Sequence, residues 1–329
     1  MLTIVSEILF RRIFPIVLRG RWLSLRGFWK NVCVCHFFLR ILQTETNVAT
    51  AVCRLTYHAM LQVLICTHNE GILEVPSILL PEAEGVGYVV SMQFSEYRYL
   101  ELIPSVLRRR PDVLLHTIEG SGLSANRNHA IERASAEICV VADDDVRYTL
   151  DDLRRIEAEH IAHPEADVLL FQARDSNGAL MKRYPAHPFD YKHQPKGYYP
   201  SSIEITFKRE RVKDVPFDLR FGLGSGQIAC GEEEVWLHTL YRKNKCTIKY
   251  LPYPVVQTMD LPQGGANFAT RPEIQCAKGA VLYYIYGWTA WLRCLKVCWT
   301  TARQQKHARF FTLFRNTARG ILYITKTGR

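Results

Sequence analysis

The sequence ICVVADDD, residues 138–145, decides the fold of this chain. Its first five residues are apolar or small, which is typical of a short strand in a sheet that is covered on both faces. Asp143, Asp144 and Asp145 follow where this strand ends. Neighbouring carboxylates repel one another, and Mg²⁺ or Mn²⁺ relieves the repulsion because hard oxygen ligands suit these cations. The triplet therefore indicates a metal site, and an acidic turn that caps the next helix is the alternative.

Strand and helix signals alternate on both sides of this stretch, as they do in an α/β sheet. The predicted strands are 61–66, 87–92, 113–118, 138–142, 167–171, 202–207, 248–251 and 255–257. The predicted helices are 97–109, 130–136 and 235–243. Polar residues follow the first two strands, at the end of the sheet where ligands bind in folds of this class.

Two glycine-rich segments precede predicted helices. The first, GSGLSANRN at 120–128, offers backbone N–H groups at a helix start, which suit phosphate, and Arg127 adds a charge that pairs with phosphate bidentately. The second, FGLGSG at 221–226, leads into GEEE at 231–234. Glutamates at a helix start interact favourably with the helix dipole, and a catalytic carboxylate below a flexible loop is the alternative.

Composition limits the classes of protein that fit. The chain has 329 residues, 48% of them hydrophobic, which suffices for one large domain with appendages. Of the formal net charge of +10, the first 59 residues carry +6, so the main body is not that of a globally basic nucleic-acid binder. The ten cysteines form no CxxC pair, which favours a reducing compartment and predicts a cytoplasmic protein.

Residues 1–59 form a basic leader whose nature stays open. It is either disordered, a basic amphipathic segment on an anionic membrane, or not part of the native protein. The last interpretation is favoured because Met60 directly precedes the first predicted strand. Pro15 counts against a continuous helix, and Arg11 and Arg12 interrupt any secretory signal.

The segment 258–329 differs in character from residues 60–257. From residue 277 onward, Tyr, Trp and Phe alternate with Lys and Arg in patterns typical of amphipathic helices. Such helices suit an anionic bilayer interface, and a helical cap packed on the catalytic sheet is the alternative. No apolar run reaches the roughly 18 residues that a membrane span requires.

Four motifs occur in an order that resembles family 2 glycosyltransferases of the GT-A fold. They are LICTHNE at 64–70, GLSANRN at 122–128, VADDD at 141–145 and GEEE at 231–234. The resemblance covers roughly residues 60–257 and implies an α/β fold with a GT-A type, Rossmann-like mixed sheet flanked by helices. It also implies a nucleotide-sugar donor, Mn²⁺ or Mg²⁺ as cofactor, and inversion at the anomeric carbon.

The resemblance implies donor-binding roles for seven residues, Asp143 and Asp144 among them. Thr67 and Asn69, with Glu70 beside them, match the first-strand loop that contacts the base and ribose. Arg127 matches the residue near the diphosphate. Gln93 stands where many relatives place an aspartate that reads the base, so an amide replaces the acid here.

The resemblance also distinguishes the acids. Asp145 matches the metal ligand of the D-x-D motif and Asp143 the residue near the ribose, whereas Asp144 is a donor-side member of the turn. Glu233 matches the general base that deprotonates the acceptor hydroxyl. The acceptor-side loop around it comprises Gly231, Glu232 and Glu234. Many relatives add a histidine ligand after the last strand, and residues 257–260 contain none.

The sequence thus predicts a cytoplasmic transferase, or one peripheral at the inner face of the membrane. It would move a sugar from a nucleotide-diphosphate donor to a saccharide or lipid-linked acceptor in cell-surface polysaccharide synthesis. The alternatives are a non-catalytic GT-A domain that binds nucleotide and a nucleotidyltransferase. The glutamates at 232–234 count against the latter, which needs metal ligands there more than a base.

Overall fold

The computed structural model describes residues 59–259, 267–305 and 307–328. These residues lie within a single compact unit that spans Tyr57–Arg329. The expectations for the leader 1–59 lie outside the described residues, apart from Ala59. The division at residues 257 and 258 stays a prediction, since the described sheet and the C-terminal helices belong to this one unit.

Nine strands form one mixed sheet in the described residues. They are β1 Leu61–His68, β2 Val86–Phe94, β3 Val113–Glu119, β4 Ile138–Asp143, β5 Val146–Arg147, β6 Val168–Arg174, β7 Phe189–Asp190, β8 Ile205–Lys208 and β9 Ile248–Thr258. Their order is β3-β2-β1-β4-β8-β6-β9-β5, and β7 also pairs with β9. The first four strands are parallel, whereas β8 runs antiparallel to both β4 and β6.

Eight α-helices accompany the sheet in the described residues. They are α1 Ser105–Arg109, α2 Leu123–Arg133, α3 Leu150–Ala162, α4 Arg209–Val212, α5 Glu232–Arg242, α6 Pro272–Tyr286, α7 Ala290–Gln304 and α8 Phe310–Thr327. The alternation of side chains along β1 separates two hydrophobic cores. Val63 and Ile65 pack in the core that contains α3, and Leu64 packs with α2 and α5 on the opposite face. The predicted α/β sheet flanked by helices is confirmed.

Several predicted elements differ from the observed ones. The strand predicted at 202–207 begins with a 3₁₀ turn at Ser202–Glu204, and only its second half lies in β8. The predicted helix 97–109 is a 3₁₀ turn at Tyr97–Leu102 followed by the short α1, because Pro104 holds Ile103 in an extended conformation. The helix predicted at 130–136 begins earlier, at Leu123, directly after Gly122. The two last predicted strands are one strand, β9, whose pairing with β6 shifts register near Pro254.

The C-terminal helices pack on the body of the domain. Val235 of α5 shares a buried cluster with Ala277 and Ala280 of α6 and with Ile324 of α8. The packing expected of a helical cap is therefore present, although the outer faces of α7 and α8 are exposed. Within the described residues, no helix has the length and apolar character needed to cross a bilayer.

Helices α6 and α8 approach one another through two glycines. A Cβ atom on Gly279 would lie 1.9 Å from the carbonyl oxygen of Thr317, and one on Gly320 would lie 1.9 Å from that of Cys276. No side chain fits at either point without separation of the two backbones. Next to this contact, the buried Asn316 donates to Gln275 Oε1 at 2.7 Å.

We predict that Gly279→Ala lowers the free energy of unfolding by about 1–3 kcal/mol, because overpacking forces α6 and α8 apart. Glycine to alanine within a helix ordinarily stabilises by roughly 0.5–1 kcal/mol, so the sign is diagnostic. Urea denaturation measures the change. Thr312→Ala, on the exposed surface of α8, is the control and should leave stability nearly unchanged; a stabilising Gly279→Ala would contradict the close crossing.

Candidate active site

The predicted site lies where β1 and β4 end side by side. These parallel strands pair Cys66 with Asp143, so the residues that follow each strand emerge at the same edge of the sheet. Thr67 Oγ1 donates a hydrogen bond to Asp144 Oδ2 at 2.5 Å across this edge. In the sheet, β1 lies between β2 and β4, so the strands that follow β1 along the chain are placed first on one side of it and then on the other. A crevice at the carboxyl ends of such strands is the usual ligand site of an open α/β sheet.

Arg127, in the middle of α2, joins three acids. Its Nη1 donates to Glu232 Oε1 at 3.0 Å and to Glu233 Oε1 at 3.1 Å, and its Nη2 donates to Asp143 Oδ1 at 3.3 Å. The Arg127 side chain is only 2% exposed. One guanidinium thus connects the end of β4 to the start of α5, and it carries one positive charge among three carboxylates.

Burial sets the protonation of this cluster. It raises the pKa of Glu232 to about 8, and the charge of Glu233 adds to the rise while Arg127 opposes it. Burial alone would lower the pKa of Arg127, but the charges of Asp143, Glu233 and Glu232 more than offset this and raise it. Glu232 Oε2 and Arg127 Nε are buried and have no hydrogen-bond partner among the described residues. Arg127 is therefore charged at neutral pH, and its buried surroundings favour the protonated form of Glu232.

The three glutamates at the start of α5 differ in access. Their side chains are 5%, 17% and 27% exposed in the order Glu232, Glu233, Glu234. Glu232 faces inward below Gly222, where an added Cβ would lie 3.2 Å from its carboxyl carbon. Glu234 points toward Lys278 of α6, with 4.0 Å between Oε1 and Nζ. Glu233 alone of the three combines contact with Arg127 and access from solvent.

The three aspartates differ in their hydrogen-bond partners. Asp143 is the last residue of β4 and accepts a hydrogen bond from Ser202 Oγ at 3.2 Å in addition to that from Arg127. Asp144 turns inward to Thr67, and burial raises its pKa. Asp145 Oδ2 accepts from Thr258 Oγ1 at 3.4 Å, beside the end of β9. The distinct roles expected of the three residues stay predictions, but their surroundings are distinct.

The other residues expected to bind the donor lie at the ends of β1 and β2. Asn69 has a left-handed backbone, with φ of 50°, and its Oδ1 accepts from the Ser95 backbone N–H at 2.9 Å. This bond joins the loops that follow the two strands. Glu70 is exposed, whereas Gln93 is buried at the end of β2 and pairs with His68. The structure thus brings these residues to one edge of the sheet, and the contacts assigned to them with the donor stay predictions.

The groups expected to bind phosphate already have hydrogen-bond partners within the protein. The Leu123 backbone N–H, at the start of α2, donates to the Leu223 carbonyl oxygen at 2.9 Å, so the second glycine-rich segment covers the first. Gly224 permits this contact, because its backbone φ is 77° and an added Cβ would lie 3.0 Å from Gly122 N. Both terminal nitrogens of Arg127 bind carboxylates here. A bidentate contact between Arg127 and phosphate therefore requires these bonds to rearrange.

Two residues that position the site were not identified from the sequence. Asn126 donates to the Thr67 carbonyl oxygen at 2.9 Å and accepts from Ser91 Oγ, so it holds the end of β1 against α2. Ser202, after the long connection from β6, fixes Asp143. Asn126 lies within the SANRN motif that the sequence singled out, but nothing in the motif indicated this positioning role. No local pattern marks Ser202.

A divalent cation fits this edge only with ligands from outside the chain. Within the described ranges, no group of three or more His, Cys, Asp or Glu side chains is arranged to hold a metal. Gln257, close to the position expected for a histidine, donates to the backbone oxygens of Asp175 and Ser176. The hard carboxylate oxygen of Asp145 suits Mg²⁺ or Mn²⁺, with phosphate oxygens of a substrate completing the coordination.

Comparison with known proteins agrees with the resemblance in the sequence. The family model described as glycosyl transferase family 2 matches residues 99–221, which include Arg127 and the three aspartates. No curated protein sequence matches the chain. Residues 99–221 therefore match the glycosyl transferase family 2 model, and the class of enzyme expected from the sequence is confirmed.

Solved structures share the fold. The crystal structure of S. aureus TarS 1-349 is 16% identical, with a TM-score of 0.51 over 82% of this chain and 92% of that chain. The same protein in complex with UDP is 17% identical, with the same TM-score and coverage. At this identity the likeness establishes the GT-A fold alone, and the fold predicted from the sequence is confirmed.

We predict that Glu232→Gln flattens the dependence of stability on pH. A carboxyl group whose pKa rises on folding binds its proton more tightly in the folded state, so wild-type stability falls as pH rises from about 4.5 to about 8. The neutral amide of the variant removes this slope, so the free energy of unfolding of the variant rises relative to that of wild type as pH increases across this range. Urea unfolding at several pH values measures it; Glu234→Gln is the control, and parallel pH profiles for wild type and Glu232→Gln would contradict burial of a protonated Glu232.

Proposed function

We propose that this protein, in which residues 99–221 match glycosyl transferase family 2 and the sheet has the GT-A fold, is a metal-dependent, inverting glycosyltransferase. Its donor is a nucleotide-diphosphate sugar and its acceptor is a saccharide or a lipid-linked saccharide, in the synthesis of cell-surface polysaccharide. The observation that carries this proposal is the arrangement around Arg127. It places an accessible carboxylate, Glu233, opposite the strand-end aspartates.

The need for a cation follows from charge. Arg127 is bonded to Asp143, Glu232 and Glu233, and Asp144 and Asp145 follow directly along the chain. Even with Glu232 protonated, the four remaining carboxylates exceed the single guanidinium. A diphosphate brought to this edge adds further negative charge, and the repulsion within a poorly solvated crevice opposes its binding. A divalent cation would relieve that repulsion, and Asp145 is the residue that would hold it.

The donor would lie along the ends of β1, β2 and β4. Thr67 and Asn69 face the base and ribose, Asp143 the ribose, and Gln93 offers an amide where an acid is common. The structure of TarS in complex with UDP supports uridine diphosphate as the first nucleotide to test here. The bound cation supplies Lewis-acid stabilisation of the charge that develops on the departing diphosphate.

Glu233 serves as the general base. Its carboxylate accepts the proton of the acceptor hydroxyl, whose oxygen bonds to the anomeric carbon while the bond from that carbon to the diphosphate oxygen breaks. The nucleoside diphosphate leaves on the opposite face, so the configuration at the anomeric carbon inverts. Arg127 holds Glu233 in place through the bond to Oε1. Glu232, buried and protonated, supports Arg127 without competing for the acceptor proton.

We predict that Asp145→Ala abolishes the Mn²⁺-dependent stabilisation of the protein by uridine diphosphate. Ligand at about 100 times its dissociation constant stabilises a native protein by about 2.7 kcal/mol, which a thermal-shift measurement detects readily. Asp151→Ala, at an exposed acid in the first turn of α3, should keep the full shift. A shift that survives in Asp145→Ala, or one that needs no metal in the wild type, would contradict the metal-ligand assignment.

Replacing Glu233 separates catalysis from donor binding. We expect Glu233→Gln to retain the thermal shift with uridine diphosphate and Mn²⁺ but to lower turnover by roughly 10²–10⁴, the usual contribution of a general base. Release of nucleoside diphosphate from a nucleotide sugar in the presence of acceptor measures turnover. Glu234→Gln is the matched control, since it lies one position along α5. A loss confined to Glu234→Gln would show that the base is Glu234.

A further inference from the structure

The three C-terminal helices differ sharply in charge from the rest of the domain. Residues 267–329 contain eleven Lys and Arg and one acidic residue, Glu273, for a net charge of +10. Residues 60–266 contain 23 Lys and Arg and 29 Asp and Glu, for a net charge of −6. The catalytic body is therefore acidic, and the basic charge of the folded domain is concentrated in the helical segment.

The same segment exposes large apolar side chains on one helix face. Trp288, Leu292, Leu295 and Trp299 recur every three or four residues, so they share one side of α7 and the turn before it. Trp288 is 72% exposed, Leu292 61% and Trp299 58%. Soluble domains scatter single exposed apolar residues, but a helical row of them indicates an interaction surface.

Phe311 of α8 extends this row. It is 83% exposed, and its ring centroid lies 5.4 Å from that of Phe310, which lies 5.9 Å from that of Trp299. The three rings thus form one aromatic group that bridges α7 and α8. We call the set Trp288, Leu292, Leu295, Trp299 and Phe311 the docking face.

Cations flank the docking face. Lys296 and Arg303 are exposed on α7, and Arg315 is exposed one turn after Phe311. Arg293 lies 3.7 Å from the centre of the Tyr286 ring, so its charge is held beside the same row. Apolar and aromatic side chains with Lys and Arg beside them form the pattern of a helix that lies in a bilayer interface.

We propose that the docking face binds an anionic lipid surface and that the enzyme acts there on a lipid-presented acceptor. The first part rests on charge and exposure, and the second part also rests on the proposed function. The positive helices are drawn to the surface while the acidic body is repelled from it. This opposition orients the domain with α7 and α8 against the lipid.

Charge also distinguishes lipid from other occupants. A second copy would bring two segments of net charge +10 together, which opposes association. A nucleic acid would satisfy the cations but would leave Leu292 and Leu295 without an apolar environment. An anionic bilayer interface satisfies both, because phosphate groups meet the cations and acyl chains accept the apolar row.

The helical segment that includes the docking face also contacts α5, the helix that begins with the glutamates: α6 and Ile324 of α8 share a buried cluster with Val235. A Cβ atom added to Gly231, the residue before α5, would lie only 2.4 Å from Cγ2 of Val281 in α6. Lys278 of α6 faces Glu234. The side of the site that carries the glutamates is therefore the side next to the lipid-binding segment, which suits an acceptor anchored in the membrane.

Flotation of the full chain with vesicles tests the proposal without any donor. We expect the protein to float with phosphatidylglycerol and phosphatidylcholine vesicles, to float poorly with pure phosphatidylcholine, and to lose binding as salt rises. The double variant Trp299→Ser, Phe311→Ser should lower binding by at least about tenfold, because both rings leave the interface. Lys296→Glu with Arg303→Glu should lower it by about tenfold or more.

The matched control is Ile161→Ser with Leu219→Ser, which changes two apolar residues of the body that are 69% and 59% exposed. It should bind vesicles as wild type does. An unchanged thermal midpoint, and an unchanged shift with uridine diphosphate and Mn²⁺, would show that the docking-face variant is folded and binds donor.

Three results would overturn the proposal: no binding of wild type to anionic vesicles, wild-type binding by the docking-face variant, or a dimer in solution that this variant converts to monomer. The second result would assign vesicle binding to residues 1–59 or elsewhere, and the third would assign the face to a second copy. A chain that floats but shows no metal-dependent nucleotide shift would instead overturn the proposed function and leave the lipid surface standing.

Discussion

The bonds from the buried Arg127 guanidinium to Asp143, Glu232 and Glu233 are the interaction on which the rest of the site depends. A buried cation is costly unless it is paired, and three carboxylates within 3.3 Å satisfy both terminal nitrogens. The same bonds fix the distance between the strand that ends in aspartates and the helix that begins with glutamates. Removing the guanidinium would leave buried acids without a partner. The geometry proposed for donor and acceptor thus depends on the ion pairs of Arg127, which hold Asp143 and Glu233 on either side of it.

This arrangement leaves the site with more negative than positive charge. Protonation of Glu232 relieves part of the repulsion, and the turn beyond β4 still presents Asp144 and Asp145. This excess of negative charge is the reason for proposing that an anionic substrate binds together with a cation. The body as a whole is acidic as well, and α6 and α8 of the basic segment pack against the helix that carries the proposed base. Charge thus separates the domain into an acidic body that contains the candidate site and a basic helical segment.

The sequence predicted the sheet because its strands are buried on both faces and are followed by polar loops. It also predicted which residues meet, since the carboxyl ends of neighbouring parallel strands share one edge. It did not predict that carboxylates would bind Arg127, because the contacts with Glu232 and Glu233 join residues 105 and 106 positions apart. Helix 97–109 was wrong where Pro104 interrupts a continuous apolar face. Ser202 and the cover of Leu223 over α2 depend on long connections whose paths no local periodicity encodes.

The central claim is that the strand-end acids bind a diphosphate only together with a divalent cation. Anomalous diffraction from crystals grown with Mn²⁺ and uridine diphosphate tests this directly. The account predicts a single Mn²⁺ peak at this edge of the sheet, coordinated by a carboxylate oxygen of Asp145 and by oxygens of the diphosphate. A nucleotide bound at this edge without Mn²⁺, with its phosphates held by an Arg127 that has left the three carboxylates, would contradict it.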